Sequence, residues 1–246
     1  MLPERRRAGR ILDAPRSVLF YAGYAVSVCL FSIVALLLAP FLPYPLRYRL
    51  LVRWNRLAIA WARIACGIRY QVHGIENLSG RACVVVSNHQ SSWETLFLAT
   101  LFPQLCILLK KELLSIPFFG WGLRLMQPIA IARDNPRAAL RQLVEEGASR
   151  LAQGNSVLVF PEGTRVESGQ ALRFTRGAAQ LAIRAGVDVL CVAHDAGKCW
   201  PGRKLVKHPG LINVVVSAPF PSAGAEAGQL TRDTQAWVEA RLAEFR

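Results

Sequence analysis

Two residues in the stretch Ser87-Asn88-His89-Gln90-Ser91-Ser92-Trp93-Glu94 have the types and spacing to move a proton. An imidazole whose tautomer is fixed by a carboxylate keeps its other ring nitrogen free to act as a general base. If a helix opens near Ser91, Glu94 lies in its first turn and can reach back to His89. The same residues also fit a capping box, S-x-x-E, in which Glu94 only satisfies backbone donors. One His and one Glu are too few ligands for a metal ion. A second cluster, Phe160-Pro161-Glu162-Gly163-Thr164-Arg165, pairs a carboxylate with a guanidinium across a glycine that permits a tight turn. Arg165 suits bidentate contact with phosphate. Arg173 and Arg176 precede a helix expected to open near Gly177, where a helix N-terminus also favours anions. No G-x-S-x-G elbow is present, which argues against a serine nucleophile.

These residues need elements to hold them. The apolar, β-branched run Ala82–Val86 predicts a buried strand leading into His89, and Thr95–Leu101 predicts a helix after it. Strands are also expected over Arg69–Gly74, Leu105–Leu109, Gln127–Arg133, Ser156–Phe160, Val187–Ala193 and Leu211–Ser217. Helices are expected over Arg137–Gln153, with Pro136 suited to the first turn, from Gly177, and over Ala225–Arg246. The alternation predicts an α/β layered fold with functional residues at the C-terminal ends of strands. His73 alternates with apolar neighbours and reads as a packed strand residue. The segment Ile116–Gly122 is apolar, aromatic and broken by Gly and Pro, suited to lining a tunnel, touching a bilayer or packing under a loop.

The chain of 246 residues is 52% hydrophobic, with a formal net charge of +14 that is mostly arginine. Such a balance suits an anionic partner: nucleic acid, anionic lipid or a phosphorylated substrate. No recognised nucleic-acid motif is present, so nucleic acid is set aside. Six scattered cysteines without a C-x-x-C pair read as reduced core residues. Val18–Ala39, roughly 22 mostly apolar residues after an Arg-rich start, is long enough to span a bilayer. Pro40, Pro43 and Pro45 then break the helix. In Leu46–Ile68, Arg49, Arg53, Arg56 and Arg63 share one helical face, with Leu50, Leu51, Trp54, Leu57, Ala58 and Trp61 over much of the rest. That pattern fits an interfacial helix, or a core helix with a solvated basic face. Arginine on both flanks of the apolar segment favours a hairpin that dips into the membrane with both ends cytosolic.

In order along the chain, these blocks resemble the glycerolipid acyltransferase family, specifically the bacterial 1-acyl-sn-glycerol-3-phosphate acyltransferases. Asn88-His89 with Glu94 is similar to the family's N-H-x-x-x-x-D block, with Glu in place of Asp. Phe160–Arg165 matches F-P-E-G-T-R without change. Ile129–Arg133 resembles the block ending in a substrate-binding arginine, with Gln127 where Gly is common, and Val189–His194 a fourth block, with Leu190 where Pro is usual. The resemblance implies an acyltransferase-type domain over 69–246, a mixed sheet flanked by helices. It is preceded by a basic tail (1–16) and a membrane-associated helical hairpin (17–68). It implies His89 and Glu94 as the catalytic pair, and Lys110, Arg133, Glu162, Gly163, Thr164 and Arg165 as substrate-binding residues. Glu162 would hydrogen-bond the glycerol or fix an arginine. The expected reaction passes an acyl chain from acyl-CoA or acyl-acyl carrier protein to the sn-2 hydroxyl of lysophosphatidic acid, with no cofactor and no metal. The expected place is the bacterial inner membrane, among anionic lipids, with the site facing the cytosol. Two alternatives are another lysolipid acceptor, such as lyso-ornithine lipid, and a non-catalytic basic membrane-binding protein.

Overall fold

The β-branched run before His89 forms the central strand of a seven-stranded sheet. The computed structural model describes residues 11–131, 135–167, 170 and 172–245. In chain order it comprises α1 (Asp13–Leu38), α2 (Tyr44–Cys66), β1 (Ile68–His73), β2 (Val84–Ser87), α3 (Trp93–Leu101), β3 (Leu105–Lys110) and α4 (Phe119–Leu125). Then follow β4 (Ile129–Ile131), α5 (Pro136–Ala152), β5 (Ser156–Val159), α6 (Gly177–Ala185), β6 (Val189–His194), β7 (Gly210–Val216) and α7 (Ala227–Glu244). The strand order is β1-β7-β6-β2-β5-β3-β4. Only β6 and β7 pair antiparallel, so the sheet is mixed, as expected. β2, β5 and β6 are buried along their whole length, as strands covered on both faces must be.

Alternate residues of these strands feed two cores. Val85, Leu158, Leu190 and Val192 face a layer with α1, α2 and α3. Val84, Val86, Val157, Val159 and Cys191 face α5, α6 and α7. Because β2 runs parallel to β5 and β6, their C-terminal ends lie side by side, and the segments after them can meet. Asn135 caps α5 by accepting from Ala138 N at 3.0 Å, with Pro136 in the first turn.

One expectation changes, and one pair of alternatives is decided. His73 is exposed, because β1 is an edge strand that pairs only with β7. The apolar face of α2 belongs to the protein core: Leu51, Trp54, Ala58, Ile59 and Ala62 are buried. Trp54 Nε1 donates to Ser27 Oγ at 3.2 Å and Trp61 Nε1 to Phe20 O at 3.0 Å, so the indoles find their acceptors on α1. Tyr48 and Asn55 donate to the carbonyls of Ala99 and Leu96, bolting α2 to α3. A core face and an interfacial face share one periodicity, which is why the pattern admits both. Arg49, Arg53, Arg56 and Arg63 remain exposed on the opposite side.

The first helical stretch, Asp13–Phe41, is 29 residues long and apolar enough to cross a membrane. Val18, Val26, Leu30, Leu37 and Phe41 point outward from it. Its N-terminal end is clipped to the loop before β7: Asp13 Oδ2 lies 2.7 Å from His208 Nδ1, and Lys207 N donates to Ser17 Oγ at 2.8 Å. Phe20 meets Trp200 edge-on at 4.9 Å.

Candidate active site

Glu94 sits one residue inside α3 and is fully buried. Its Oε1 lies 2.7 Å from His89 Nδ1 and accepts from Ser91 N at 2.8 Å and Gln90 N at 3.1 Å. Ser91 Oγ in turn accepts from Trp93 N at 2.8 Å. Glu94 Oε1 therefore satisfies backbone donors and holds His89 with the same atom, although the Ser91 hydroxyl meets Trp93 N and does not complete a capping box. Burial alone would push the Glu94 carboxyl up. The imidazoles of His194 and His89 and the Ser91 N–H outweigh it and hold the group below the usual glutamate range. A carboxylate can only accept, so Nδ1 of His89 carries a proton, and in the neutral imidazole Nε2 is the free acceptor. His89 lines the main cavity with 14% of its side chain exposed, stacked on Phe160 at 4.1 Å between ring centroids.

Glu162 has a partner within the protein. Its Oε2 accepts from the backbone N of His89 at 2.7 Å, tying the end of β5 to the end of β2. Burial pushes its carboxyl up to about 7, the His89 N–H opposes this, and the charge of Glu94 adds to it. A carboxyl whose pKa rises on folding resists ionisation in the folded state. The penalty is absent below the unfolded value and complete above about 7. Glu162→Gln, whose amide oxygen still accepts the His89 N–H, should therefore raise the thermal midpoint at pH 8 by a few degrees. The gap should shrink toward pH 5, where the folded parent is already protonated. Scanning calorimetry at both pH values checks this, and a gap that widened toward pH 5 would refute it.

Arg165 follows the turn at Gly163, where φ is +71° and a side chain would be strained. Its Nη2 donates to Ser92 Oγ at 3.0 Å and its Nη1 to Gly202 O at 3.3 Å. A Cβ on Gly202 would meet Gln90 O at 2.6 Å and Arg165 Cδ at 2.8 Å, so only glycine lets this loop approach so closely. Gly163 and Thr164 are exposed at the cavity rim, and Lys110 reaches it from the end of β3. Arg176 and Arg203 line the same cavity. Arg133 lies outside the described residues. The cavity measures about 990 Å³. Its apolar lining includes Val28 and Phe31 of α1, Leu51 of α2, Ile107 and Leu109 of β3, and Leu123 of α4.

Residues 69–195 match the family model described as Acyltransferase. A 1-acyl-sn-glycerol-3-phosphate acyltransferase of Pseudomonas aeruginosa is 44% identical over 238 residues, covering 95% of this chain and 93% of the relative. The chain belongs to the acyltransferase family. Among other relatives, 1-acyl-sn-glycerol-3-phosphate acyltransferase alpha of Mus musculus is 34% identical over 69% of this chain and 61% of its own length. The crystal structure of the 1-acyl-sn-glycerophosphate acyltransferase of Thermotoga maritima has the same fold. It superposes with a TM-score of 0.81 at 22% identity, covering 96% of this chain and 97% of that one.

In this acyltransferase, sequence reasoning placed His89, Glu94, Lys110, Gly163, Thr164 and Arg165 around one space, and the structure brings them together. It missed Arg203. The available signal was Pro201-Gly202-Arg203-Lys204, a turn with two adjacent cations, but nothing local says which site the turn folds over. Ile116–Gly122 contributes to the cavity through Phe119 and Gly122, while Trp121 is exposed.

Proposed function

We propose that this enzyme transfers an acyl chain from a thioester, acyl-CoA or acyl-acyl carrier protein, to the sn-2 hydroxyl of 1-acyl-sn-glycerol-3-phosphate, giving phosphatidic acid. The observation that carries the reading is a single cavity lined by the His89 imidazole, by the cations Lys110, Arg165, Arg176 and Arg203, and by many apolar side chains. The names of the similar enzymes supply the acceptor. His89 Nε2 takes the hydroxyl proton as the oxygen attacks the thioester carbonyl. The C–S bond then breaks, and the imidazolium returns its proton to the departing thiolate. Glu94 keeps the proton on Nδ1 and stabilises the imidazolium. Arg165 holds the acceptor phosphate, with Lys110 and Arg133, and Arg203 adds charge in the same cavity. The apolar lining takes acyl chain. The scheme uses neither metal nor cofactor.

The outward apolar side of α1 lies in the cytoplasmic membrane in a monotopic arrangement, with the basic face of α2 against anionic headgroups and the site on the cytosolic side. Each arginine near such a surface contributes about 1 kcal/mol. Reversing Arg49, Arg53 and Arg56 to Glu should weaken sedimentation with anionic vesicles more than tenfold and leave neutral vesicles unaffected. Equal loss on both would remove the headgroup role.

The acceptor is tested by assaying purified protein on lysophosphatidic acid, lyso-ornithine lipid, lysophosphatidylcholine and monoacylglycerol with both donor types. Lysophosphatidic acid should have the highest kcat/KM with whichever donor works. Equal or better use of lyso-ornithine lipid would overturn the assignment.

A further inference from the structure

The peptide unit joining Asn88 to His89 is held at both ends by side chains from two other strand ends. Its carbonyl, Asn88 O, lies 2.9 Å from His194 Nε2, and its amide, His89 N, donates to Glu162 Oε2 at 2.7 Å. The tautomer of His194 follows from its other nitrogen. Ala196 N donates to Nδ1 at 3.3 Å, and an amide hydrogen can meet only an unprotonated ring nitrogen. The ring proton is therefore on Nε2 and points at Asn88 O. His194 is 1% exposed, and burial holds its pKa below the ordinary histidine value. The Asn88 side chain completes the join: Nδ2 donates to His194 O at 2.9 Å, and Oδ1 accepts from His194 N at 3.0 Å.

We propose that His194 and Glu162 are positioning residues for the catalytic base, gripping the Asn88–His89 peptide at its carbonyl and its amide. The inference rests on His89 being that base. β2 ends at Ser87 and α3 begins at Trp93, so the peptide lies beyond the sheet ladder and needs other partners. Glu94 restrains the imidazole at Nδ1 only. Tilting the peptide plane would swing the far ring atom, Nε2, which must face the hydroxyl. A misplacement of ~1 Å costs on the order of 10²-fold in rate.

Four variants test this. His194→Asn removes the group at the Nε2 position, whereas His194→Gln places an amide donor there. Glu162→Ala removes the acceptor for His89 N, whereas Glu162→Gln keeps one. His194→Asn and Glu162→Ala should each lower kcat by ~10–100-fold per folded molecule, counted by circular dichroism. KM for lysophosphatidic acid and for the donor should stay within about twofold. Each Gln variant should recover about tenfold over its partner. Parental kcat per folded molecule, Gln variants no better than Asn or Ala, or a rise confined to acceptor KM would overturn the proposal. If His194→Asn does not fold, the Glu162 pair decides alone. His89→Ala in the same series separates the two levels. Near-parental turnover there removes the base and the grip together, whereas an inactive His89→Ala beside kinetically parental grip variants removes only the grip.

Discussion

His89→Ala is expected to lower turnover by at least ~10³-fold while the protein stays folded, and Glu94→Gln by ~10²-fold or more. General-base assistance lies on the order of 10²–10⁴-fold, and Glu94, buried beneath the imidazole, cannot replace it. Glu94→Gln is the more informative variant. Oε1 already takes two backbone N–H groups and His89 Nδ1, so an amide could keep the helix cap through its oxygen. What it loses is the charge that stabilises the imidazolium formed as the hydroxyl is deprotonated. A carboxylate that only capped α3 would leave kcat per folded molecule unchanged in Glu94→Gln and lower only the thermal midpoint. Glu94→Asp should fall between the parent and Gln. It keeps the charge, but one methylene fewer draws the oxygen back from an imidazole now 2.7 Å away. Kinetics on refolding-competent, monodisperse protein measure all three, and near-parental turnover in His89→Ala would remove the general-base assignment.

How much of this was readable from the chain depends on sequence distance. His89 and Glu94 are five positions apart, and a strand–helix junction leaves their side chains little choice but to meet. The strand and helix positions were legible because β-branched runs and 3.6-residue periodicity report local burial. The partner of Glu162 was not, because its hydrogen bond crosses 73 residues to a backbone amide, and an amide leaves no trace in residue identity. The Asn88–His194 join spans 106 residues for the same reason. Both residues stood inside recognisable blocks without any hint that they touch. The face of α2 was ambiguous for a different reason. Its amphipathicity was real, but periodicity says only that one side avoids water, not whether protein or lipid covers it. The tryptophan donors settled it, each finding an acceptor on α1.

Arg165→Lys is expected to raise the apparent KM for lysophosphatidic acid about tenfold, equivalent to ~1.4 kcal/mol, with donor KM nearly unchanged. The guanidinium is fixed before any substrate arrives. Nη2 donates to Ser92 Oγ and Nη1 to Gly202 O, while the backbone leaves a tight turn at the end of β5. A planar fork anchored on one edge can still offer parallel N–H groups to phosphate oxygens, which an ammonium cannot reproduce while also holding both protein acceptors. Ser92→Ala should act in the same direction more weakly, because it frees the fork without removing it. Arg203→Ala should also raise acceptor KM, since this side chain lines the same cavity. Monoacylglycerol, which lacks the phosphate, should be a poor acceptor for the parent and hardly a worse one for Arg165→Lys. The discriminating measurement is the pair of KM values from a two-substrate kinetic matrix. Were Arg165→Lys to raise donor KM and spare the acceptor, the guanidinium would serve the thioester's carrier, and the acceptor phosphate would have to sit elsewhere in the cavity.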